Sequence, residues 1–519
     1  MDAMQLVRTA GRSGLLRPLR PDRYINAARA LRQHGTTLAG ACVSAAALYG
    51  RDTAIIDNNG STTYARLHER TNALAHALSN HGVQEGTTVA LLARNQAPFV
   101  EASVALSKIG AHILLLNTSM AAAQLRDVCD REQPSLIIFN EEFTELVSEL
   151  NESIQCVNTF TTSNWASSHT SAPLPAPKRA GRTIILTSGT TGIPKGANRG
   201  APRASTATFG MLEAIPYHRG EPMLIAAPLF HAWGFAHLAI AFALGCPIVL
   251  QPNFDPRDTI TAIATHRVGI LVAVPIMLRR MLDTAGSPTT NNLNTNSLRL
   301  VPLSGSAIPA GLAEAFMDQF GEVVYNLYGS TEVGSATVAT PNDLRAAPGT
   351  AGCPPQGVEL RIYDDHDALL EPGGTGRIFV RSALLFDGYT NGDTKAVIDG
   401  FMSTGDVGHL DAQGRLFVDG RDDDMIISGG ENVYPREVED LLAKHPEITE
   451  AAVVGVDDLD FGQRLCAYVV RTGDSQLSDQ DVRAYVRDHL ARYKVPRDVV
   501  FLDALPRNPT GKVLKRALL

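Results

Sequence analysis

Cysteine and tryptophan are scarce in this chain, long apolar runs are missing, and positive charge is in the minority. Six cysteines are scattered over 519 residues, at Cys42, Cys129, Cys156, Cys246, Cys353 and Cys466. No two stand at metal-ligand spacing and none forms C-x-x-C, which sets aside a cysteine-built zinc site and a dithiol redox motif. Thiols spread this way read as reduced and mostly buried, in a cytoplasmic protein. No segment approaches the roughly 20 apolar residues of a membrane-spanning helix, and the N-terminus lacks the apolar stretch of a secretory signal. A formal net charge of −8 argues against a general nucleic-acid binder.

What is present is enough chain for more than one domain. From residue 89 the pattern alternates strand and helix: strands at 89–92, 112–116 and 136–139, helices at 97–108 and 121–131. Such β-α-β-α-β order favours a parallel sheet with right-handed crossovers. The rhythm returns after Pro222, with strands at 223–226, 247–250, 270–273, 298–303 and 323–327. Two halves of this kind predict two layered α/β sheets around a cleft, with ligands at the carboxyl ends of the strands. After Gly349 short strands between Gly- and Asp-rich turns predict a β-rich subdomain. Past Gly420 comes a small α+β domain, with helices at 435–444 and 478–489 and strands at 450–456 and 465–471. The expected division is an N-terminal extension (1–50), a large domain (51–420) and a mobile C-terminal domain (421–519). Two stretches, 159–178 and the Asn-rich 287–296, read as weakly ordered from composition.

The first 35 residues carry seven arginines against Asp2 and Asp22, with Leu6, Leu15, Leu16 and Leu19 among them. Two readings stand: a segment lying on a membrane surface, or a solvated extension packed along the large domain. Pro18 and Pro21 interrupt any helix and favour the second. With the first reading, the protein is peripheral at the inner membrane face.

The strongest local signal is Thr187-Ser188-Gly189-Thr190-Thr191-Gly192-Ile193-Pro194-Lys195-Gly196, which follows a strand-like run at 182–186. Glycines let backbone N–H groups approach phosphate oxygens, while hydroxyls and a lysine add donors and charge. It is not the G-x-x-x-x-G-K-[ST] loop, because Gly196 follows the lysine. The decamer resembles the signature of the adenylate-forming enzymes: acyl-CoA synthetases, peptide-synthetase adenylation domains and firefly luciferase. Further segments follow in that family's order from about residue 54 to the end.

The resemblance implies roles residue by residue. Thr187, Ser188, Gly189, Thr190, Thr191, Gly192 and Lys195 would cradle ATP phosphates. In Tyr325-Asn326-Leu327-Tyr328-Gly329-Ser330-Thr331-Glu332, Tyr328 would stack on adenine, Thr331 would contact the α-phosphate, and Glu332 would bind Mg²⁺ with Thr187. Gly305, in Gly305-Ser306-Ala307, falls where the family wraps backbone around adenine. In Ser403-Thr404-Gly405-Asp406, Asp406 would accept the ribose hydroxyls, joined by Arg421. Pro228-Leu229-Phe230-His231-Ala232-Trp233-Gly234-Phe235 would set His231 beside the acyl carboxylate. Trp233 is either a gate to the acyl tunnel or a core residue. Lys512, in Pro506-Arg507-Asn508-Pro509-Thr510-Gly511-Lys512, would neutralise charge developing between carboxylate and phosphate. Gly429, Gly430, Glu431 and Asn432 would line the path of the coenzyme A thiol, and Asp423 would be the hinge.

Two departures from the family pattern, Gln463 and the missing proline before Asn117, lie away from these positions. The implied protein is an AMP-forming acid–CoA ligase using ATP, Mg²⁺ and coenzyme A, with a medium- or long-chain fatty acid as the expected substrate. An adenylate-only enzyme loading a carrier protein and a catalytically silent lipid-binding scaffold are the alternatives.

Overall fold

The computed structural model describes residues 11, 13–14, 19–187, 195–199, 210, 212–285, 290, 293–390, 392–428, 431–458, 462–473, 475–508 and 511–519. Its first layer is a six-stranded sheet in the order Gln155–Asn158, Leu136–Phe139, Thr88–Leu92, His112–Leu115, Thr183–Thr187 and Lys195–Arg199. All pairs are parallel except the last. Helices cover both faces, so the strands are apolar without alternation: Val89, Ala90, Leu91 and Leu92 are all fully buried. The helix Ala97–Ile109 has a proline in its first turn and stops at Gly110, whose φ of 82° is left-handed. A Cβ at Gly110 would also lie 2.7 Å from Pro177 Cβ.

The second sheet runs Ile270–Val272, Met223–Ile225, Ile248–Val249, Thr53–Asp57 and Gly60–Thr63. Parallel bridges Ile270–Leu300 and Ala273–Leu303 extend it into the three strands Val301–Leu303, Val324–Ser330 and Gly334–Ala339. One core fills the space between the two sheets. A separate antiparallel sheet follows, built on Val358–Tyr363, Gly376–Ser382, Phe401–Leu410 and Leu416–Arg421. The terminal domain has its own sheet and its own core, around Val433, Val453, Leu465 and Val482. The α/β architecture, with a β-rich subdomain and a small α+β C-terminal domain, is the one expected from the sequence.

In the helix Leu38–Tyr49, Leu38, Cys42, Ala45 and Tyr49 belong to the main core, so this part of the extension packs along the large domain. Two expectations need correction. Pro21 does not interrupt a helix; it opens one, Pro21–His34, because the first turn needs no N–H from it. Within 159–178, residues Thr159–Ser168 form a helix capped by Asn158, whose side chain accepts the Thr161 N–H at 2.8 Å. Trp165 stacks on His81 at 4.2 Å, and Asn72 and His76 bond the carbonyls of Ser171 and Ala172. Tertiary anchors thus order a segment whose composition is polar. The 287–296 stretch lies largely outside the described residues. Of the thiols, Cys42, Cys129, Cys246 and Cys466 are buried and all six are free.

Candidate active site

Tyr328 and Glu332 owe their placement to a tight β-turn. The strands Val324–Ser330 and Gly334–Ala339 pair antiparallel, with an irregularity between Tyr328 and Gly329. A Cβ at Gly329 would sit 1.9 Å from the Gly334 carbonyl oxygen, so only glycine lets the strands close there. Ser330 Oγ accepts the N–H groups of Glu332 and Val333 at 3.2 and 3.3 Å, which fixes the turn bearing Thr331 and Glu332. Glu332 is held from the side as well. Its Oε1 accepts a 2.6 Å hydrogen bond from Tyr389 Oη, and its carbonyl accepts the Phe386 N–H at 2.7 Å.

Strand register brings Asp406 and Arg421 together, as direct partners between Phe401–Leu410 and Leu416–Arg421. Arg421 Nε stands 3.6 Å from Asp406 Oδ1, and Tyr328 Oη donates to Asp406 Oδ2 at 2.6 Å. Burial pushes the Asp406 carboxyl above its usual range, against the pull of the Tyr328 hydrogen bond and of Arg421, Lys512 and Lys395. Three cations thus act on one buried carboxylate, and one of them, Lys512, stands near the C-terminal end of the chain. The adjoining Gly405 has φ of 81°, and a Cβ there would meet Lys395 Nζ at 3.1 Å and Arg421 Nη2 at 3.3 Å. Tyr328 packs its ring between two small apolar clusters, one around Val333 and Phe386, the other around Ile362 and Leu416.

The glycine- and hydroxyl-rich motif joins the strands Thr183–Thr187 and Lys195–Arg199, paired from Thr183–Arg199 to Thr187–Lys195. Ser188, Gly189, Thr190, Thr191 and Gly192 lie outside the described residues; at Thr187 and Lys195 the backbone alone is described. This hairpin is clasped by the loop that carries Tyr389. Thr390 N–H donates to the Gly196 carbonyl at 2.8 Å, Ala197 bridges Tyr389, and Thr390 Oγ1 donates to Glu132 Oε1 at 2.8 Å. A Cβ at Gly196 would lie 2.9 Å from both Glu132 and Thr390. Tyr389, Thr390, Glu132 and Lys395 were not singled out from sequence. Tyr389 follows Leu384-Leu385-Phe386-Asp387-Gly388, and no motif in that run marks it.

On the far wall, Asn95 pins the segment that presents His231. Its Nδ2 donates to the carbonyls of Ile225 and Ala227 at 3.0 Å each, and its Oδ1 accepts the Leu229 N–H at 2.8 Å. His231 then caps the helix Ala232–Leu244. Its Nε2 is buried with no hydrogen-bond partner among the described residues. Burial lowers its pKa to about 4, so the imidazole is neutral at physiological pH. Trp233 is half-buried; its Nε1 donates to the Ala273 carbonyl at 3.1 Å and its ring packs edge-on against His237 at 4.4 Å. Gly305, with φ of 95°, lies against Val274.

Val274 also meets the terminal domain. Gly511 is buried with φ of 78°, and a Cβ on it would come within 2.2 Å of Ile276 Cγ2 and 3.9 Å of Val274 Cγ2. The Asn508 N–H donates to the Lys512 carbonyl and Asn508 Oδ1 accepts the Lys512 N–H, both at 2.9 Å, so Asn508 fixes the backbone of Lys512. Asp423 lies in the single turn Asp422–Asp424 that follows Arg421. Gly429 and Gly430 fall outside the described residues, while Glu431 and Asn432 have their backbone in the strand Glu431–Val433. The structure thus gathers Tyr328, Asp406 and Arg421, with the charge of Lys512 reaching Asp406, and sets Glu332 in the turn that follows Tyr328; Gly305 and Gly511 both approach Val274.

Comparison with known proteins shows the family and the fold. The sequence model described as AMP-binding enzyme matches residues 43–390, and that of the AMP-binding enzyme C-terminal domain matches residues 437–512. The 2-succinylbenzoate–CoA ligase of Geobacillus kaustophilus (strain HTA426) is 34% identical over 470 residues, 90% of this chain and 94% of the relative. The indoleacetate–CoA ligase of Aromatoleum aromaticum is 32% identical over 471 residues, 87% and 92% of the two chains. The o-succinylbenzoate-CoA synthetase of Bacillus subtilis, solved with its acyl-adenylate intermediate, superposes with a TM-score of 0.81 at 29% identity, covering 92% of this chain and 97% of that one. The same enzyme has been solved with ATP and magnesium ion, at the same TM-score and identity, covering 92% and 98%. With both of its sequence models matched in order along one chain, this protein belongs to the AMP-binding enzyme family.

Proposed function

We propose that this chain is an ATP-dependent, AMP-forming acid–thiol ligase that activates an aromatic carboxylic acid as its acyl-adenylate and transfers the acyl group to coenzyme A. ATP with magnesium and coenzyme A are its reactants. The observation that carries the reading is the Tyr328–Asp406–Arg421 cluster, whose buried carboxylate also feels the charge of Lys512; the buried His231 Nε2, without a hydrogen-bond partner among the described residues, supports it. The aromatic acid, in place of the fatty acid expected from the sequence, rests on two relatives whose named substrates, 2-succinylbenzoate and indoleacetate, both carry an aromatic ring.

Asp406 and Arg421 hold the ribose, and Tyr328 holds Asp406 in place. The neutral His231 offers Nε2 to the acid, fixing the carboxylate that attacks the α-phosphate. Lys512, with Thr331, spreads positive charge and donors over the oxygens where negative charge grows, and pyrophosphate leaves. Glu332, with Thr187, suits Mg²⁺, a hard ion that takes one or two protein carboxylates and completes its shell with phosphates and water. When bound, that ion neutralises phosphate charge. A few torsions around Asp423 then turn domain 421–519 on domain 51–420, withdraw Lys512, and bring Gly429–Asn432 to the adenylate. The coenzyme A thiolate displaces AMP.

The test is a panel of acids, aromatic and fatty, each assayed for pyrophosphate release with and without coenzyme A. Aromatic acids should turn over fastest and yield thioester. Preference for a long-chain acid would overturn the substrate class, and adenylate accumulating in the presence of free coenzyme A would overturn the acceptor.

A further inference from the structure

The helix Pro21–His34 buries little: only Ala27 and Ala30 are fully enclosed, and a cavity of about 370 Å³ opens beside it, lined in part by Arg29, Gln33, Val43 and His68. Its exposed side mixes three large apolar side chains with arginines. Tyr24 is 38% exposed, Ile25 57% and Leu31 45%. Ten large apolar side chains are exposed among the described residues, and these three sit on one helix of 14 residues. At 100° per residue Tyr24, Ala28 and Leu31 form one stripe, with Ile25 and Arg32 beside it and Arg29 at its edge. Packing leaves Ile25 and Leu31 about half exposed on that face.

Charge selects the partner. The first 35 residues hold seven arginines and two aspartates, a surplus of +5, in a chain whose net charge is −8. No helix among the described residues is long and apolar enough to cross a membrane. We propose that this helix is a membrane-surface anchor: it lies on an anionic lipid bilayer, its Tyr24–Ile25–Leu31 face in the headgroup boundary and its arginines on the lipid phosphates. The acidic remainder of the protein is repelled by the same surface, so the arginine-rich end alone makes contact.

Flotation of the full-length protein with vesicles decides the matter. Vesicles of equal parts phosphatidylglycerol and phosphatidylcholine should carry the protein, phosphatidylcholine alone should not, and high salt should release it. Ile25→Glu with Leu31→Glu, and separately Arg29→Glu with Arg32→Glu, should each lower the bound fraction roughly tenfold. Leu369→Glu, at a residue 58% exposed elsewhere, should leave binding unchanged. All three variants should keep the melting temperature and the turnover of a water-soluble acid without vesicles. Equal binding to neutral vesicles, binding indifferent to the arginine reversals, or no flotation with anionic lipid would overturn the proposal. So would a dimer, seen by sedimentation, that Ile25→Glu with Leu31→Glu abolishes, since the face would then belong to a second copy of the chain.

Discussion

On the nucleotide side of the cleft, Asp406 is already bonded to Tyr328 and flanked by Arg421, and Glu332 is already bonded to Tyr389. On the side proposed for the acid, His231 keeps a buried Nε2 with no hydrogen-bond partner among the described residues. The first arrangement is organised before any ligand arrives, so little reorganisation is needed when the nucleotide binds. The second leaves a buried nitrogen for a ligand group to bond, and such a bond would offset the cost of burying it. In the proposed function, the nucleotide therefore meets side chains that hold one another, whereas the acid supplies the bond that His231 lacks among the described residues.

The strongest way to test the pre-formed side is to remove Lys512, the cation reaching it from the other domain. Lys512→Ala should slow pyrophosphate release several-hundredfold, ~3–4 kcal/mol of transition-state stabilisation. Thioester formation from preformed acyl-adenylate should change only a few-fold. Gly511→Ala should give a weaker version of the same split, because its Cβ cannot fit against Ile276 at 2.2 Å. Equal loss of both half-reactions would mean that Lys512 serves folding rather than adenylation.

Two histidines on neighbouring turns put the acyl side to the same test. His231 and His237 are both lowered to about 4 by burial. His237 is fully partnered, Nδ1 with the Trp233 carbonyl at 2.8 Å and Nε2 with Tyr217 Oη at 2.9 Å. Each has a folded pKa below its unfolded value of about 6.5, so as pH falls the unfolded chain takes up the proton first. Stability is therefore full above pH 6.5 and drains away toward pH 4, by up to about 3 kcal/mol per histidine. Gln at either position should flatten that loss in a melting series. The neutral-pH outcomes should differ: His237→Gln should lower the melting temperature, while His231→Gln should leave it in place and slow adenylation. Matching behaviour at neutral pH would erase the distinction between the two.

Asp406→Asn keeps the shape and removes the charge that Arg421, Lys395 and Lys512 surround. KM for ATP should rise roughly 10- to 30-fold, about 2 kcal/mol, with a smaller change in kcat. An unchanged KM would place the ribose elsewhere.

Tyr328 to Glu332, Ser403 to Asp406 and Asn508 to Lys512 stand out in the sequence because each is a contiguous segment that resembles a motif of the family, and their roles stand as proposed. Tyr389, Thr390, Glu132 and Lys395 were illegible for the opposite reason. They reach the site only through packing of the β-rich subdomain and one helix end against the phosphate hairpin, and nothing local marks them. The alternating strands and helices of the two sheets were readable from their apolar runs. The helix Thr159–Ser168 was not, since its order depends on Trp165 meeting His81 and on Asn72 and His76 meeting the chain that follows. At Pro21 a rule about helix interiors was applied to a residue that stands in a first turn.

The smallest effect, and the finest test of pre-formation, belongs to Tyr389. Its hydroxyl donates to Glu332 Oε1 at 2.6 Å, while its ring packs edge-on against Phe386 at 4.9 Å and its backbone bridges Ala197. Tyr389→Phe removes the hydrogen bond and keeps the ring, so the loop should hold and the melting temperature should stay. Glu332 would then sample other rotamers, and ordering it again on each turnover should cost about 1 kcal/mol, the scale of one hydrogen bond in a half-buried site. Expressed in kinetics, the half-saturating Mg²⁺ concentration should rise roughly fivefold, with the rate at saturating Mg²⁺ close to that of the parent. Titrating Mg²⁺ against pyrophosphate release at fixed ATP measures both numbers. A fall in the half-saturating concentration would show that the hydroxyl competes with the metal for the carboxylate; Tyr389 would then restrain Glu332 rather than position it, and the nucleotide side would be no more pre-formed than the acyl side.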